Sequence, residues 1–409
     1  MRYKRIAVIS YHTCPLSDVE EREVGGMNVY VLELCRQLAS KGYVIDIYTR
    51  SVDKKRQKIV NVCENLRVIH IVGGKEKNIE KEKLANLIPG FLKNLYRFID
   101  ESKIAYDLIY SHYYLSGIIG LQMKERYGLP LFVTFHTLAI MKNLVARDEL
   151  EREDMKRIES ELLLTRKADK IIATSESDAG YLFTLYNCPK AKIAVIMPGV
   201  DLRVFRPKDK KKSKEIIGTD KNFKLILFVG RIEPLKGIDV LLYAVKVLIE
   251  NNPQLKLCLW ILGGDISGKS QKWSKELRRL EDLRKLLNIS AAVTFVGRKN
   301  RRELPDYYNA SEIIILPSHY ESFGIVALEA MACGVPVITT DTTGIAGFFN
   351  SKYPSLITSS NNPLLLSEKI KHLLINESEY GKLRHDVLRD AASLTWEKIA
   401  NKFVNLLEF

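Results

Sequence analysis

Short apolar runs alternate with stretches of helical periodicity along almost the whole chain, and no other feature constrains the fold as strongly. Runs such as Arg5–Ser10 and Tyr43–Thr49 have the length of a buried strand. Between these runs apolar residues recur at helical spacing, as Val31 and Leu34 do in a helix predicted at 27–41. Strands and helices that alternate in this way form a parallel sheet covered by helices on both faces, so we predict an α/β fold.

The pattern falls into two blocks. It pauses at the polar, lysine-rich stretch 206–222, which we interpret as an interdomain linker. A chain of 409 residues is long enough for two domains that each bury a core. We therefore predict α/β domains at 1–205 and 206–386, and a C-terminal helical region, 387–409, that packs back on the first domain. Further strands are predicted at Asp107–Tyr110, Leu131–Thr134, Lys170–Thr174, Ile193–Ile196, Lys224–Val229, Leu255–Leu262, Ala292–Val296, Glu312–Pro317 and Pro336–Thr340. Further helices are predicted at 84–101, 150–168, 238–250, 272–287, 324–333 and 396–407.

The chain is basic, with a formal net charge of +14. Such a charge suits nucleic acid, an anionic membrane surface or a phosphate-rich small ligand. No aromatic residues are interleaved with a basic stripe, as they are in proteins that bind single strands. The lysines at 208–214 are typical of a solvated linker. We therefore favour a solvated basic surface over nucleic-acid binding.

Composition also argues against a membrane span and a zinc site. No run reaches the ~18 consecutive apolar residues that a spanning helix needs. The apolar run near the start is too short for a signal peptide, so we expect a buried first strand and a cytoplasmic protein. The six cysteines are scattered singly, without a Cys-x-x-Cys pair, and we expect no metal site.

The most specific motif places Glu321 and Glu329 eight positions apart. A predicted strand ends at Pro317, a short loop presents Glu321, and a helix opens near Gly324. The amino-terminal end of a helix presents N–H groups that favour an anion. About two helical turns separate the two glutamates, which can bring both carboxylates to one edge of a ligand. The alternative is that Glu329 only caps or pairs on the surface, and in apolar surroundings it would be costly without a partner.

Two cations follow the first strand of the second block. That strand ends at Gly230, and Arg231 and Lys236 lie in the loop that leads to the next helix. Open α/β sheets bind ligands at the carboxyl ends of their strands. Two positive charges at one point suit a departing diphosphate, and we favour this interpretation over a solvated loop.

Paired glycines form the third motif. Gly25 and Gly26 lie between the first strand and the first helix, where the absence of side chains lets a backbone approach a phosphate. A flexible loop is the alternative.

Residues 263–270 match the phosphate-binding pattern G-x-x-x-x-G-K-[ST] between a predicted strand and a predicted helix. A nucleoside triphosphatase also needs an apolar strand that ends in a magnesium-binding aspartate. The nearest candidate, Val337–Asp341, is a poor one. Because short patterns also occur by chance, a triphosphatase is the weaker hypothesis.

The chain resembles the retaining glycosyltransferases of family 4. The resemblance depends on three features together: the E-x₇-E motif with its flanking Phe-Gly and Glu-Ala-Met-Ala, the Arg-x₄-Lys pair, and Pro198-Gly-Val-Asp201. The likeness runs essentially from end to end. It implies the GT-B fold, in which two Rossmann-like domains face each other across a cleft that holds the active site. The stretches at 10–15, 25–31, 111–117 and 135–139 are similar to the branch of the mycothiol-pathway inositol-phosphate N-acetylglucosaminyltransferases and the sucrose-phosphate synthases.

The resemblance also implies a role for each matching residue. The catalytic residues would be His136 at the donor sugar, Glu321 beside it, and Arg231 and Lys236 on the diphosphate. Glu329 would hold the ribose. The donor site would be completed by Gly25, Gly26, Arg298, Ser322, Phe323, Gly324, Ile325 and Val326. The acceptor would be held by His12 and Asn28, and its phosphate by Lys81, Tyr113, Thr137 and Arg157.

The implied reaction is a retaining transfer without metal, cofactor or covalent intermediate. UDP-glucose or UDP-N-acetylglucosamine is the expected donor, and a small phosphorylated polyol or sugar, such as inositol phosphate or fructose 6-phosphate, is the expected acceptor. Three alternatives stay open: a related enzyme, using for example GDP-mannose, that acts on a phospholipid or glycolipid at a membrane surface; a non-catalytic nucleic-acid binder; and a pyridoxal-dependent phosphorylase. The sequence leaves the oligomeric state open, with a homodimer among the alternatives.

The phosphate site has its own alternative. Lys81 lies in a lysine-rich stretch that a solvated surface would explain. Arg157 lies four residues from both Glu153 and Glu161, so it could form an ordinary ion pair on a helix surface. We favour the phosphate site over this alternative.

Overall fold

The computed structural model describes residues 4–16, 25–268 and 270–408, and its contacts divide the chain into two compact units. Unit 1 contains the chain up to Met141, Glu153–Met197 and the chain from Trp396 onward. Unit 2 contains Lys142–Arg152 and Pro198–Thr395. The domain boundaries predicted after residues 205 and 386 stay predictions, because a division by contacts does not test independent folding.

Unit 1 is built on an eight-stranded sheet in the order β3-β4-β2-β1-β5-β6-β7-β8. Its strands are β1 (Arg5–Ile9), β2 (Val44–Arg50), β3 (Ile59–Cys63), β4 (Leu66–Ile71), β5 (Leu108–His112), β6 (Leu131–Thr134), β7 (Lys170–Ala173) and β8 (Ile193–Val195). Neighbouring strands are parallel except β3, which runs antiparallel to β4 at the edge. The strand order reverses between β1 and β5, and open α/β sheets bind ligands at the carboxyl ends of the strands at such a point.

Helices connect these strands. They are α1 (Gly26–Ser40), α2 (Ile88–Glu101), α3 (Tyr114–Tyr127), α4 (Ala139–Leu144), α5 (Met155–Lys167) and α6 (Glu176–Thr184), and a 3₁₀ turn at Lys81–Leu87 precedes α2. The central strand β1 is a continuous apolar run because helices cover both faces of the sheet, and Ile6–Ile9 are at most 1% exposed. The α/β prediction is therefore confirmed for this unit.

Unit 2 repeats the architecture with six parallel strands in the order β11-β10-β9-β12-β13-β14. The strands are β9 (Lys224–Val229), β10 (Leu257–Leu262), β11 (Val293–Gly297), β12 (Ile313–Leu316), β13 (Val337–Thr340) and β14 (Ile357–Thr358). The helices are α7 (Lys210–Ile217), α8 (Ile238–Asn251), α9 (Lys275–Leu286), α10 (Leu304–Ala310), α11 (Ile325–Ala332), α12 (Gly344–Asn350), α13 (Pro363–Ile375) and α14 (Glu377–Ala391). The order reverses between β9 and β12, whose loops carry the Arg-x₄-Lys and E-x₇-E motifs.

The last helix, α15 (Trp396–Glu408), belongs to unit 1 and packs on α1. The rings of Trp396 and Tyr30 meet edge to face, with centroids 5.7 Å apart. Among the described residues no helix has the length and apolar character that a bilayer crossing requires.

The interpretation of 206–222 as a linker is wrong, because this stretch contains α7. The Asp209 carboxylate accepts a hydrogen bond from the Lys212 amide and so caps the helix. Lys214, expected in solvent, is 4% exposed. Its ammonium group donates to the Phe223 carbonyl at 2.6 Å and pairs with Glu312 at 3.2 Å, and these partners compensate for its burial.

Other sequence predictions also need correction. The helix predicted at 150–168 begins only at Met155, because the Asp154 carboxylate accepts a hydrogen bond from the Lys156 amide and caps it there. Glu321 lies four residues before the start of α11 at Ile325, so helical spacing does not relate it to Glu329. The sequence patterns did not predict β3, β4, β14, α3, α4, α6, α10, α12, α13 and α14.

The loop that matches the triphosphatase pattern has a packing role. A Cβ atom at Gly263 would lie 1.8 Å from the Gly230 carbonyl oxygen, so the close approach of the two loops requires glycine there. The pattern does not open directly into an α-helix, because a short 3₁₀ helix at Ser270–Lys272 overlaps its end and α9 begins only at Lys275. Lys269, the lysine of the pattern, lies outside the described residues.

Candidate active site

The loops after β9 and β12 meet in unit 2, and a glycine allows the contact. Gly237 has a φ of +61°, and a Cβ atom there would lie 2.1 Å from the Pro317 carbonyl oxygen. Beside it, the Lys236 ammonium group donates to the Glu321 carboxylate. The Lys236 side chain is 12% exposed and that of Glu321 is 26% exposed. The structure therefore brings one residue of each principal motif into direct contact.

Arg231, the other predicted diphosphate ligand, has a different partner. Its guanidinium group pairs with Glu233 at 2.8 Å, and its side chain is half exposed. Arg231 and Lys236 thus lie on one loop, and a carboxylate faces each of them. An anion that binds at this loop would replace those carboxylates as the partner of the two cations.

The loop that carries Glu321 is fixed by the backbone that follows β13. The Gly344 amide donates to the Glu321 carbonyl at 2.8 Å, and the Ile345 amide donates to the Phe323 carbonyl at 2.9 Å. Ser322 and Phe323 are buried. Of the other predicted donor residues, Gly324 caps α11, Ile325 and Val326 are partly exposed in its first turn, and Arg298 is exposed after β11.

Glu329 is buried and paired, so the alternative that placed it on the surface is wrong. Its side chain is 4% exposed. One carboxylate oxygen accepts from Arg301 at 3.0 Å, and the other accepts from the Tyr308 hydroxyl at 2.9 Å. Burial raises the pKa of Glu329, and Arg301 opposes that rise. Arg301 and Tyr308 thereby hold the carboxylate in one orientation.

In unit 1, His136 pairs with a second histidine. The Nε2 atom of His136 lies 2.9 Å from Nδ1 of His112, and the rings are stacked with centroids 5.2 Å apart. Desolvation lowers the pKa of His136 to about 3 and lowers that of His112 well below its usual value, so both rings are neutral near neutral pH. His136 has a φ of +62°, an uncommon conformation for a residue with a side chain.

The four residues predicted to hold a phosphate come together in unit 1, and we call them the cation cluster. Both Lys81 and Arg157 lie over the Tyr113 ring, with the Lys81 Nζ atom 4.9 Å and the Arg157 Cζ atom 4.8 Å from its centroid. Arg157 also donates to the carbonyl and hydroxyl oxygens of Thr137 at 2.9 and 3.0 Å. The cluster lies at the carboxyl ends of β5 and β6, beside the point where the strand order reverses.

Two carboxylates contact the cation cluster. Arg157 pairs with Glu153 and with Glu161, each at 2.8 Å, and its side chain is only 2% exposed. Glu153 also lies 3.9 Å from Lys81. Arg157 thus forms the ion pairs predicted by the alternative, and it also lies among the four residues predicted to hold a phosphate.

Of the remaining predicted residues of unit 1, His12 contacts this cluster. The His12 ring packs on Tyr113, with centroids 4.4 Å apart. The Asn28 side-chain nitrogen Nδ2 donates to the Thr13 hydroxyl and the Cys14 carbonyl, both at 3.0 Å. The Asn28 side-chain oxygen Oδ1 is buried and accepts no hydrogen bond from the described residues. Gly25 and Gly26 lie at the start of α1, and within the described part of the chain no atom lies within 4 Å of a Cβ built on Gly25.

Sequence reasoning missed three residues that contact these side chains: His112, Tyr308 and Arg301. His112 ends a buried strand next to Tyr113, and a polar residue at the carboxyl end of a strand is a usable signal. Arg301 and Tyr308 carry no such signal, because only the fold brings them to Glu329.

Comparison with known proteins identifies the family. The family model described as Glycosyltransferase Family 4 matches residues 24–204, and that described as Glycosyl transferases group 1 matches residues 209–392. The D-inositol 3-phosphate glycosyltransferase of Corynebacterium jeikeium is 34% identical over 407 residues, which cover 99% of this chain and 96% of the relative. The enzyme of the same name from Nocardiopsis dassonvillei is 32% identical over 403 residues, which cover 98% of this chain and 94% of the relative.

A solved structure agrees with this assignment. The sucrose-phosphate synthase of Thermosynechococcus elongatus superposes with a TM-score of 0.88 and 29% identity, over 99% of this chain and 98% of that chain. The protein therefore belongs to the family 4 glycosyltransferases and has their GT-B fold.

Proposed function

We propose that the protein transfers glucose or N-acetylglucosamine from UDP, with retention of configuration, to a small phosphorylated polyol or sugar such as inositol phosphate or fructose 6-phosphate. The convergence of Lys81, Tyr113, Thr137 and Arg157 carries the acceptor half of this proposal. Two cations and two hydroxyl groups suit a phosphate, because charge-assisted hydrogen bonds are roughly twice as strong as neutral ones. The names of the relatives, which act on inositol phosphate or make sucrose phosphate, support the same class of acceptor.

The donor half rests on unit 2 and on the family resemblance. Arg231 and Lys236 supply two positive charges to a departing diphosphate, so the proposal needs neither metal nor cofactor. Gly25 fits a loop that closes over phosphates, since neither its extended φ of −162° nor any atom of the described residues demands a glycine there. Glu329 holds the ribose, and its hydrogen bonds with Arg301 and Tyr308, which fix the carboxylate, support this role.

The reaction needs no covalent intermediate. The bond between the sugar and the diphosphate breaks, and an acceptor oxygen bonds to the same face of the sugar. The proton of that acceptor oxygen passes to the departing diphosphate. His136 contacts the donor sugar as a neutral ring, because desolvation keeps its pKa far below neutrality. The side-chain carbonyl oxygen of Asn28, which accepts no hydrogen bond from the described residues, offers an acceptor for a polyol hydroxyl.

Release of nucleotide from UDP-glucose and UDP-N-acetylglucosamine tests the proposal. Inositol phosphate and fructose 6-phosphate should react, whereas free inositol and fructose should react at least about tenfold less efficiently, the scale of one lost charged contact. The preference should fall in Lys81→Ala. Lys83→Ala is the matched control, because Lys83 lies on the same 3₁₀ turn, is exposed, and pairs with the exposed Glu80 at 2.5 Å.

Equal rates with free and phosphorylated acceptors would contradict the phosphate site. Reaction with phosphatidylinositol in vesicles but not with inositol phosphate would instead support the lipid alternative.

A further inference from the structure

A carboxylate lies inside the cation cluster, where the proposed function requires a phosphate. One oxygen of Glu153, Oε1, is 2.8 Å from an Arg157 guanidinium nitrogen and 3.9 Å from the Lys81 ammonium nitrogen. The Glu153 side chain is 16% exposed, so solvent screens this contact only in part. A single anionic oxygen therefore contacts both cations, as an oxygen of a bound phosphate would.

The second carboxylate at the cluster, Glu161, has a structural role. It is fully buried and accepts hydrogen bonds from the Ala139 amide at 2.9 Å and the Tyr186 hydroxyl at 2.6 Å, besides pairing with Arg157. These bonds fix it in the core of unit 1. Glu153, in contrast, lies outside regular structure, immediately before the Asp154 cap of α5. Its side chain can therefore leave the cluster without unfolding a helix.

The charges of the cluster balance before any acceptor binds. Lys81 and Arg157 contribute two positive charges, and Glu153 and Glu161 contribute two negative charges. A phosphate monoester adds almost two more negative charges near neutral pH. Two anions cannot share the space between the same two cations without strong repulsion, and Glu161 cannot leave.

We infer that Glu153 is an internal counter-ion that the acceptor phosphate displaces, and that it thereby sets the affinity and selectivity of the site for phosphate monoesters. This inference rests on the proposed function, since it assigns a residue to the same phosphate site. Glu153 lowers the affinity for every phosphate, and it neutralises Arg157 and Lys81 when the site holds no acceptor. The enzyme consequently binds phosphorylated acceptors less tightly than its two cations alone would allow.

Glu153→Gln tests the inference, because it removes the charge and keeps the size and the hydrogen-bonding oxygen. The KM for inositol phosphate and the inhibition constant of inorganic phosphate should both fall by about tenfold, a modest value for removing a like charge from a partly buried site. The KM for free inositol and the KM for the nucleotide sugar should stay unchanged. Glu149→Gln is the matched control, because Glu149 lies four residues earlier, is 80% exposed, and pairs with Arg152 at 2.6 Å.

The outcomes separate this inference from the proposed function. If the wild type does not prefer phosphorylated acceptors, the phosphate site itself is wrong. If it does prefer them but Glu153→Gln leaves both constants within twofold of those of Glu149→Gln, only the role of Glu153 is overturned. A higher KM for inositol phosphate would also overturn it, since Glu153 would then orient Arg157. Glu153→Ala, checked for folding by circular dichroism, repeats the test without the amide.

Discussion

Replacing Gly237 by alanine should damage both stability and catalysis, because this glycine permits the contact between the two motif loops. The new Cβ atom would lie 2.1 Å from the Pro317 carbonyl oxygen, and the loops must separate by about 1 Å to restore an ordinary contact. A positive φ costs a residue with a side chain about 1 kcal/mol, and overpacking adds about 1–3 kcal/mol. We therefore expect unit 2 to lose about 2–4 kcal/mol of unfolding free energy.

Gly218→Ala provides the control that separates strain from steric overlap. Gly218 has a similar φ of +76° at the end of α7, but no atom lies within 4 Å of a Cβ built there. The control should lower the melting temperature by about 3 °C, and Gly237→Ala should lower it by about two to three times as much. Only Gly237→Ala should also lower kcat, because the separation moves Lys236 away from Glu321.

Differential scanning calorimetry and nucleotide-release kinetics measure the two effects. Equal melting temperatures for Gly237→Ala and Gly218→Ala, together with the same kcat for Gly237→Ala and the wild type, would refute this reasoning. The close approach of the loops would then affect neither stability nor catalysis.

Three further predictions concern the chemistry. Lys236→Ala should lower kcat by about 10²–10³-fold, the scale for losing a charge-stabilising donor, whereas Lys246→Ala on the surface of α8 should match the wild type in the same assay. An α-linked nucleotide sugar should give an α-linked product, and a β anomer in the proton NMR spectrum of the first product would reject retention. His136 binds no proton in the folded state between about pH 3 and 6.5 but does so when unfolded, so its contribution to stability should fall as the pH is lowered through this window. Urea titrations of the wild type and His136→Gln at pH 7 and pH 5 measure that contribution, and an equal loss of stability in both proteins would contradict the assigned burial.

The sequence predicted the buried strands and the motifs at their ends well, because parallel strands covered on both faces are continuous apolar runs. It missed β4, where Arg67 and His70 interrupt the apolar pattern. Arg67 is tolerated there because it forms two hydrogen bonds with Asp46 on the neighbouring strand β2, at 2.7 and 2.9 Å. A pairing of this kind depends on sheet order, which a single strand does not reveal.

In the candidate site, too, the sequence predicted individual residues but not the contacts that only the fold creates. The cation cluster was predicted residue by residue from the resemblance, but Glu153 was treated only as an ion-pair partner of Arg157 and not as an occupant of the phosphate site. Similarly, Glu329 was predicted without Arg301, which lies 28 positions earlier and pairs with it only in the fold. The site roles, the absence of a metal requirement, the cytoplasmic location and the homodimer stay predictions.

The backbone of Tyr113 makes this residue a point where selection for heat resistance and selection for catalysis should diverge. Its φ of +77° and ψ of +157° lie in a region that almost only glycine occupies, and such conformations cost about 1–3 kcal/mol. A directed-evolution experiment that rewards thermostability alone should therefore favour glycine at this position. The same substitution would remove the ring that both Lys81 and Arg157 contact. Libraries screened for stability should accordingly keep position 113 fixed, because its strain is the cost of presenting an aromatic face to two cations.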